Sequence, residues 1–165
     1  ITLTFNVGNA ESNGFEFDFT SLITDNWTLS GAASFLDSTL TEDYRRSASS
    51  PEPDAPSGSR LPRVPELKWN VSTRYTFANE WFAQAAYMYT GDSYNDLFGG
   101  FRQLQGSYDV VNASFGLERS SWTAELYVQN LTDERGEVWI NDQNWDERVT
   151  INQPRTIGFR WQQRF

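Results

Sequence analysis

The chain has 165 residues and a mass of 19.0 kDa, and its 13 Lys+Arg against 22 Asp+Glu give a formal net charge of −9, which suits one domain or a piece of one. It contains neither Cys nor His, which excludes disulfides, thiolate or His-ligated metal sites and histidine-based triads. A pI near 4.4 with a single lysine, Lys68, excludes a basic nucleic-acid footprint, and a mean hydropathy of −0.61 excludes a membrane-spanning helix, while 16% aromatic residues argue against disorder.

Alternation with period 2 runs through the whole chain, the signature of strands with two unlike faces. Residues 3–19 keep one parity across Leu3, Phe5, Val7, Phe15, Phe17 and Phe19, with Glu16 and Asp18 between, and read as one long strand kinked or bulged near Gly8–Gly14, or as a short hairpin there. In 27–35, Trp27, Leu29, Ala33 and Phe35 oppose Thr28, Ser30, Ala32 and Ser34. Leu67, Trp69, Val71, Tyr75 and Phe77 oppose Lys68, Asn70, Ser72, Arg74 and Thr76 in 67–77, and 81–89 sets Trp81, Ala83, Ala85, Tyr87 and Tyr89 on one side. The same pattern returns in 109–118 (Val111, Ala113, Phe115, Leu117), in 122–130 (Trp122, Ala124, Leu126, Val128) and in 157–165 (Ile157, Phe159, Trp161, Phe165). No helical period is convincing. The reading is all-β, with seven strands.

The connections alternate in length. Thr24-Asp25-Asn26, Ala78-Asn79-Glu80 and Arg119-Ser120-Ser121 are tight turns, whereas about 41–66, 91–107 and 133–154 are long polar segments. Short periplasmic turns at one end and long extracellular loops at the other are the habit of outer-membrane barrels. Each tight turn is followed at once by Trp (Trp27, Trp81, Trp122), with Phe77 before one turn and Phe165 at the same level. This register predicts a periplasmic aromatic girdle at the membrane–water interface, made by Trp27, Phe77, Trp81 and Trp122; the competing reading is a soluble sheet with these residues in its core. The other face carries Glu16, Asp18, Lys68, Arg74, Glu125, Arg160 and Arg164, which suit a wide polar lumen.

Bacterial single-chain barrels have even strand numbers, and an open edge in lipid costs several kcal/mol for each unpaired backbone group, as an order of magnitude. Seven strands therefore should not close alone. Either residues 1–23 hide an eighth strand or further strands precede Ile1, and the abrupt opening Ile1-Thr2-Leu3-Thr4-Phe5 favours the second. The isolated segment is accordingly expected not to fold as a stable monomer in detergent.

Four stretches carry a resemblance to a family. They are Asn6-Val7-Gly8-Asn9-Ala10-Glu11-Ser12-Asn13-Gly14-Phe15-Glu16, Leu61-Pro62-Arg63-Val64-Pro65, Val128-Gln129-Asn130-Leu131-Thr132-Asp133, and Pro154-Arg155-Thr156-Ile157-Gly158-Phe159-Arg160 running to Phe165. In this order they resemble the C-terminal β-barrel segment of TonB-dependent outer-membrane receptors. The resemblance implies that residues 1–165 are the C-terminal part of an antiparallel transmembrane β-barrel of about 22 strands with a plugged lumen. The plug and the N-terminal strands would lie outside this chain. It implies a receptor in the outer membrane of a Gram-negative bacterium that binds a scarce nutrient, typically a ferric siderophore or similar chelate, cobalamin or a carbohydrate, and imports it with energy passed through TonB; no loop motif names which. Implied partners are outer-membrane lipid, the plug and TonB complex through parts not in this chain, the outer-membrane assembly machinery and a small-molecule cargo. No resident cofactor is expected. The alternative is a small free-standing barrel with adhesive or enzymatic loops, although without His a Ser–His pair cannot be completed here.

Several residues are candidates for function. Phe159, Trp161 and Phe165 resemble an assembly signal, or are simply lipid-facing. Tyr94, Phe98, Phe101 and Arg102 in one loop, and Trp139, Trp145 and Arg148 in another, offer a ligand-facing surface, or pack the loops together. Asp133, Glu134, Glu137, Asp142, Asp146 and Glu147 read as a solvated acidic rim rather than a Ca²⁺ site, because EF-hand spacing is absent. The Asn-x-Ser/Thr triplets at Asn26, Asn70, Asn112 and Asn130 read as by-products of polar-face alternation, three in strands and one at a turn.

Overall fold

In the computed structural model, residues 8–99, 102–141 and 148–164 are described. Eleven strands follow in chain order: β1 (Ala10–Thr24), β2 (Trp27–Leu40), β3 (Leu67–Thr76), β4 (Trp81–Thr90), β5 (Ser93–Tyr94), β6 (Leu104–Gln105), β7 (Tyr108–Glu118), β8 (Trp122–Gln129), β9 (Glu137–Asn141), β10 (Arg148–Ile151) and β11 (Thr156–Gln163). Seven of them form one antiparallel sheet in the order β1-β2-β3-β4-β7-β8-β11, each long strand pairing with the next along the chain. The all-β, seven-strand expectation holds. Two short hairpins, β5–β6 and β9–β10, stand apart within the long loops.

The registers keep the two faces in phase across the sheet. On one face Phe15 pairs with Phe35, Phe35 with Leu67, Trp69 with Tyr89, Ala83 with Phe115, Phe115 with Leu126 and Leu126 with Phe159. On the other, Ser34 pairs with Lys68, Arg74 with Gln84, Gln84 with Ser114 and Glu125 with Arg160. The apolar face is open rather than packed: Leu126, Phe159 and Trp161 are 60%, 63% and 53% exposed. On β4 this face reads aromatic, Ala, Ala, aromatic, aromatic from Trp81 to Tyr89. Eight residues at about 3.3 Å each span roughly 26 Å, or roughly 20 Å of height at a tilt of about 40°. On this face Ala83 and Ala85 thus lie between Trp81 at the short-turn end and Tyr87 and Tyr89 at the loop end. The loop-end rings, with Trp69 stacked 5.1 Å from Tyr87 and 6.0 Å from Tyr89, were not singled out in the sequence.

Two expectations are corrected. Within the described residues the N-terminal strand has no kink at Gly14, which pairs with Leu36 in unbroken register; the irregularity lies at the opposite end, between Leu22 and Thr24, where the chain enters the tight turn. Gly8, at φ +91, precedes the strand. The second strand also outruns its alternation: β2 continues to Leu40 because β1 pairs with it along its whole length, and beyond β3 its free edge is taken by the return arm of the 41–66 loop (Leu36 N–H to Glu66 O, 2.9 Å; Leu61 N–H to Ser38 O, 2.8 Å; Leu40 N–H to Ser59 O, 3.0 Å). Paired partners, not side-chain hydropathy, set its length.

The tight turns are built by local chemistry. Asn79 and Glu80 both take left-handed backbone (φ 61 and 67) within the three-residue Ala78-Asn79-Glu80 turn, which the Phe77 N–H to Trp81 carbonyl bond closes at 2.7 Å. Arg119 forms an ion pair with Glu80 from the neighbouring turn. On the polar face, Arg74 bonds Glu118 at 2.8 Å, Arg164 reaches the same carboxylate at 3.1 Å, and Arg160 bonds Glu125 at 2.6 Å.

Two of these pairs frame a repeated four-residue stack. Phe82 lies over its register partner Gly116 and carries the Arg74 guanidinium 3.9 Å from its ring centre, with Glu118 on that arginine. Tyr127 lies over its partner Gly158 and carries Arg160 at 5.0 Å, with Glu125 on that arginine. A Cβ at Gly116 would fall 2.7 Å from Phe82 Cζ and 2.5 Å from the Ala124 carbonyl oxygen, so only glycine lets the ring lie flat. Gly116→Val and Gly158→Val should each destabilise the folded barrel by about 1–3 kcal/mol through overpacking. Urea unfolding of the full-length protein in detergent micelles reads this as a lowered midpoint; unchanged midpoints for both would show that the rings are not seated on these glycines.

Candidate functional site

The buried apolar core of this chain sits above the sheet, in the long loops. Leu40, Ala55 and Leu97 are its buried members, and Tyr44, Leu61 and Phe98 pack against them. Phe98 stacks 5.2 Å from Tyr44 and carries the Arg46 guanidinium at 5.2 Å; Arg46 in turn bonds Asp54 at 2.6 Å. Phe98 thus packs the 41–66 and 91–107 loops against each other, the second of the two roles the sequence allowed it.

Tyr94 lies between the same two loops but is ringed by cations. Arg60 Cζ lies 5.4 Å and Arg102 Cζ 3.3 Å from its ring centre, and the Tyr94 carbonyl accepts the Arg63 backbone N–H at 2.8 Å. Arg60 is fixed by Glu66 at 3.0 Å and Asp92 at 2.9 Å. Arg63, exposed and at φ 63, reaches the third loop, where its guanidinium lies 5.6 Å from the ring centre of Trp139 on β9. Trp139 and Arg148 share one face of the β9–β10 hairpin, since Trp139 pairs with Thr150 and Asn141 with Arg148. The structure thus sets Arg60 and Arg102 on Tyr94 and Arg63 on Trp139, with Arg148 on the Trp139 face of its hairpin; Arg60 was not singled out in the sequence, and Arg63 only as part of the 61–65 stretch. Phe101 and Trp145 lie outside the described residues, as does Phe165 of the C-terminal aromatic set.

The third loop is held at its base by Asn130. This residue is 2% exposed and, at φ 51, lies just past the end of β8, so its expected place within a strand is corrected. Its side-chain amide donates to the carbonyls of Glu134 (2.9 Å) and Gln153 (2.8 Å), its Oδ1 accepts the Glu134 N–H at 2.9 Å, and its own N–H donates to Asn112 Oδ1 at 2.9 Å. Every capacity of the side chain but one lone pair is used, tying both feet of the loop to the strand ends. Asp133 adds a second tie, accepting the Arg155 N–H at 2.9 Å and pairing with Arg135 at 3.3 Å. The Arg155 amide first, then the Arg135 side chain, hold the Asp133 carboxyl below the usual carboxylate range; the Arg46 amide and guanidinium do the same for Asp54. Asp133, Glu134 and Glu137 do not converge, and no group of metal-ligating side chains is found among the described residues; Asp142, Asp146 and Glu147 lie outside them.

The apolar face places Trp27, Phe77, Trp81 and Trp122 at the short-turn end. Trp81 stacks on Phe115 at 5.0 Å, Trp122 on Trp161 at 4.7 Å, and Phe77 meets Tyr75 edge-on at 4.8 Å. Trp27 donates its indole N–H to Thr73 Oγ1 at 2.7 Å, giving the polar end of its ring a partner while the apolar body stays on this face. Phe159 and Trp161 lie on this face on β11, which is an edge strand of the described sheet.

Comparison with known proteins places this architecture. The family model described as TonB dependent receptor-like, beta-barrel matches residues 1–131. The chain belongs to the TonB-dependent receptors. It is 30% identical over 133 residues to the probable TonB-dependent siderophore receptor PiuA of Acinetobacter baumannii, covering 79% of this chain and 18% of that protein. It is 29% identical over 160 residues to the metal-pseudopaline receptor CntO of Pseudomonas aeruginosa, covering 88% of this chain and 21% of that one. The chain therefore spans about a fifth of the length of these relatives. Its fold superposes on the crystal structure of PiuA with a TM-score of 0.77 over 94% of this chain and 22% of that one, at 24% identity. It also superposes on the ferric yersiniabactin uptake receptor FyuA of Yersinia pestis with a TM-score of 0.75 over 94% of this chain and 24% of that one, at 21% identity.

In this TonB-dependent receptor segment, the stretch Val128–Asp133 owes its form to the clamp: an asparagine that can take left-handed backbone while satisfying three backbone groups, and an aspartate three residues on. Asn130→Ala should cost the 130–155 loop about 1–3 kcal/mol, the penalty of buried backbone groups left without partners. Hydrogen exchange should then accelerate at Glu134 and around Gln153 while the β3–β4 amides keep their protection; uniform protection would dismiss the clamp. Because the Asp133 carboxyl is held low, its contribution is complete above the ordinary value of about 3.9 and is lost as pH falls through the depressed folded value. The Arg155 amide should accordingly lose protection only below that ordinary value; loss near neutral pH would contradict the tie.

Proposed function

We propose that this chain is part of an outer-membrane receptor that binds a ferric siderophore or similar chelate at the cell surface and imports it with TonB-coupled energy. The observation that carries the reading is the sheet itself. It exposes an aromatic-bounded apolar face on one side and charge-paired polar residues on the other, the inverted arrangement a lipid-embedded barrel needs. The family match and the siderophore and metal-chelate receptors among the relatives support it over a free-standing barrel with adhesive or enzymatic loops. The family is one of transport receptors, not enzymes.

On this reading the short turns face the periplasm, Trp27, Phe77, Trp81 and Trp122 form the girdle at that interface, and the loop layer is the extracellular face that meets the cargo. The apolar rings contact outer-membrane lipid. A plug, further strands that complete the barrel on β1 and β11, and the TonB-contacting segment belong to the rest of the receptor. The exposed edge position of Phe159 and Trp161 suits recognition by the assembly machinery, with Phe165 as the chain's last residue.

Cells carrying the full-length receptor should take up radiolabelled ferric siderophore, and removing either the receptor or TonB should abolish this uptake; uptake that persists without TonB would remove the energised part of the reading. Substituting Trp161→Asp together with deletion of Phe165 should lower the amount of folded, heat-modifiable receptor in outer-membrane fractions several-fold, with unfolded protein accumulating in the periplasm. Wild-type levels of folded receptor in that variant would dismiss the assembly role.

A further inference from the structure

Most arginines of this acidic chain are matched to carboxylates: Arg46 to Asp54, Arg60 to Glu66 and Asp92, Arg74 and Arg164 to Glu118, and Arg160 to Glu125. Among the described residues Arg63, Arg102, Arg148 and Arg155 are not; the Arg155 guanidinium is turned to the Leu131 carbonyl (3.4 Å), and the other three lie in the loop layer with no such acceptor. Arg102 goes further: its Nε is buried without any hydrogen-bond acceptor. Leaving a desolvated N–H unpaired is costly, and so is withholding carboxylates from cations in a chain with an excess of them.

The arrangement makes sense if the acceptors arrive with a ligand. Arg102 and Arg63 each rest on an aromatic ring, Tyr94 and Trp139, at 3.3 Å and 5.6 Å. A guanidinium held face-on to a ring keeps its N–H fork at the rim of the stack, where it can grip two oxygens at once. Arg63 joins the two stacks, because its backbone N–H is bonded to the Tyr94 carbonyl at 2.8 Å. Arg148 lies on the Trp139 face of its hairpin. The segment has no Cys, no His and one Met, so soft or imidazole ligation of a bare metal is not on offer here.

We infer that Arg63, Arg102 and Arg148, set by Tyr94 and Trp139, form a subsite selective for a polyanionic, oxygen-rich iron chelate over a neutral or cationic one. This rests on the receptor reading above and adds the charge class of the cargo. The cluster draws on three loops, so the selectivity depends on the loops being assembled by the core around Leu40 and Leu97 and by the Asn130 clamp.

The test uses the purified full-length receptor in detergent and tryptophan-fluorescence titration with two probes of similar size, a trianionic ferric tris-catecholate and a neutral ferric tris-hydroxamate. The wild type should bind the trianionic probe at least about tenfold tighter, a preference of about 1.4 kcal/mol, and added salt should narrow the gap. The double variant Arg63→Gln with Arg102→Gln should bring the ratio near one, and Arg63→Lys with Arg102→Lys, which keeps the charge but not the fork, should retain part of it. Heat-modifiable migration confirms that each variant is folded. Equal affinities in the wild type, or a ratio that survives the Gln substitutions, would overturn the subsite and leave the receptor reading standing. Binding of neither probe, together with TonB-independent iron uptake, would overturn both.

Discussion

The constraint on which everything else depends is backbone pairing without water. In a hydrocarbon layer an unpaired N–H or C=O has no alternative partner, so strands must run side by side in continuous ladders. Seven strands meet that demand here by pairing strictly with their chain neighbours. Because antiparallel partners project to the same side, the alternation of one strand is copied to the next, and two coherent faces arise from local pairing alone. One face is free to be greasy and the other to be charged.

The polar face is not merely wet. Glu118 between Arg74 and Arg164, and Glu125 on Arg160, link strands that are not all neighbours. Exposed ion pairs contribute little individually. Their value here lies in combination with the rings of Phe82 and Tyr127 seated on Gly116 and Gly158, since a slip of one residue would put each ring against a side chain instead of a bare backbone.

Above the sheet the physics changes. The loops are polar in composition, yet they hold the only well-buried apolar cluster among the described residues apart from Phe82 and Ile140. That cluster turns three long connections into a positioned layer, so that arginines distant in sequence meet around Tyr94 and Trp139. A layer of long loops needs such a base, because loops without a core cannot hold side chains in place against their conformational entropy.

The sequence by itself determined the seven strands of the main sheet, the division into apolar and polar faces, and the alternation of short turns with long loops, but not the two short hairpins inside those loops. These follow from a period of two and from turn residues, which are local properties of the chain. Phe159, Trp161, Trp27, Trp81 and Trp122 could be assigned to one face for the same reason. Only the tertiary structure decided the full length of β2, the place of the register irregularity near Leu22, and the separation of Phe98 as cement from Tyr94 and Arg102 as a cation-ringed cluster. It also decided the roles of Asn130 and Arg63: one looked like a by-product of alternation, the other like part of a loop motif, yet Asn130 also bonds partners 18 and 23 positions away and Arg63 meets a ring 76 positions away. Those outcomes depend on which distant segments pair and pack, and no periodicity within one strand encodes a partner in another loop.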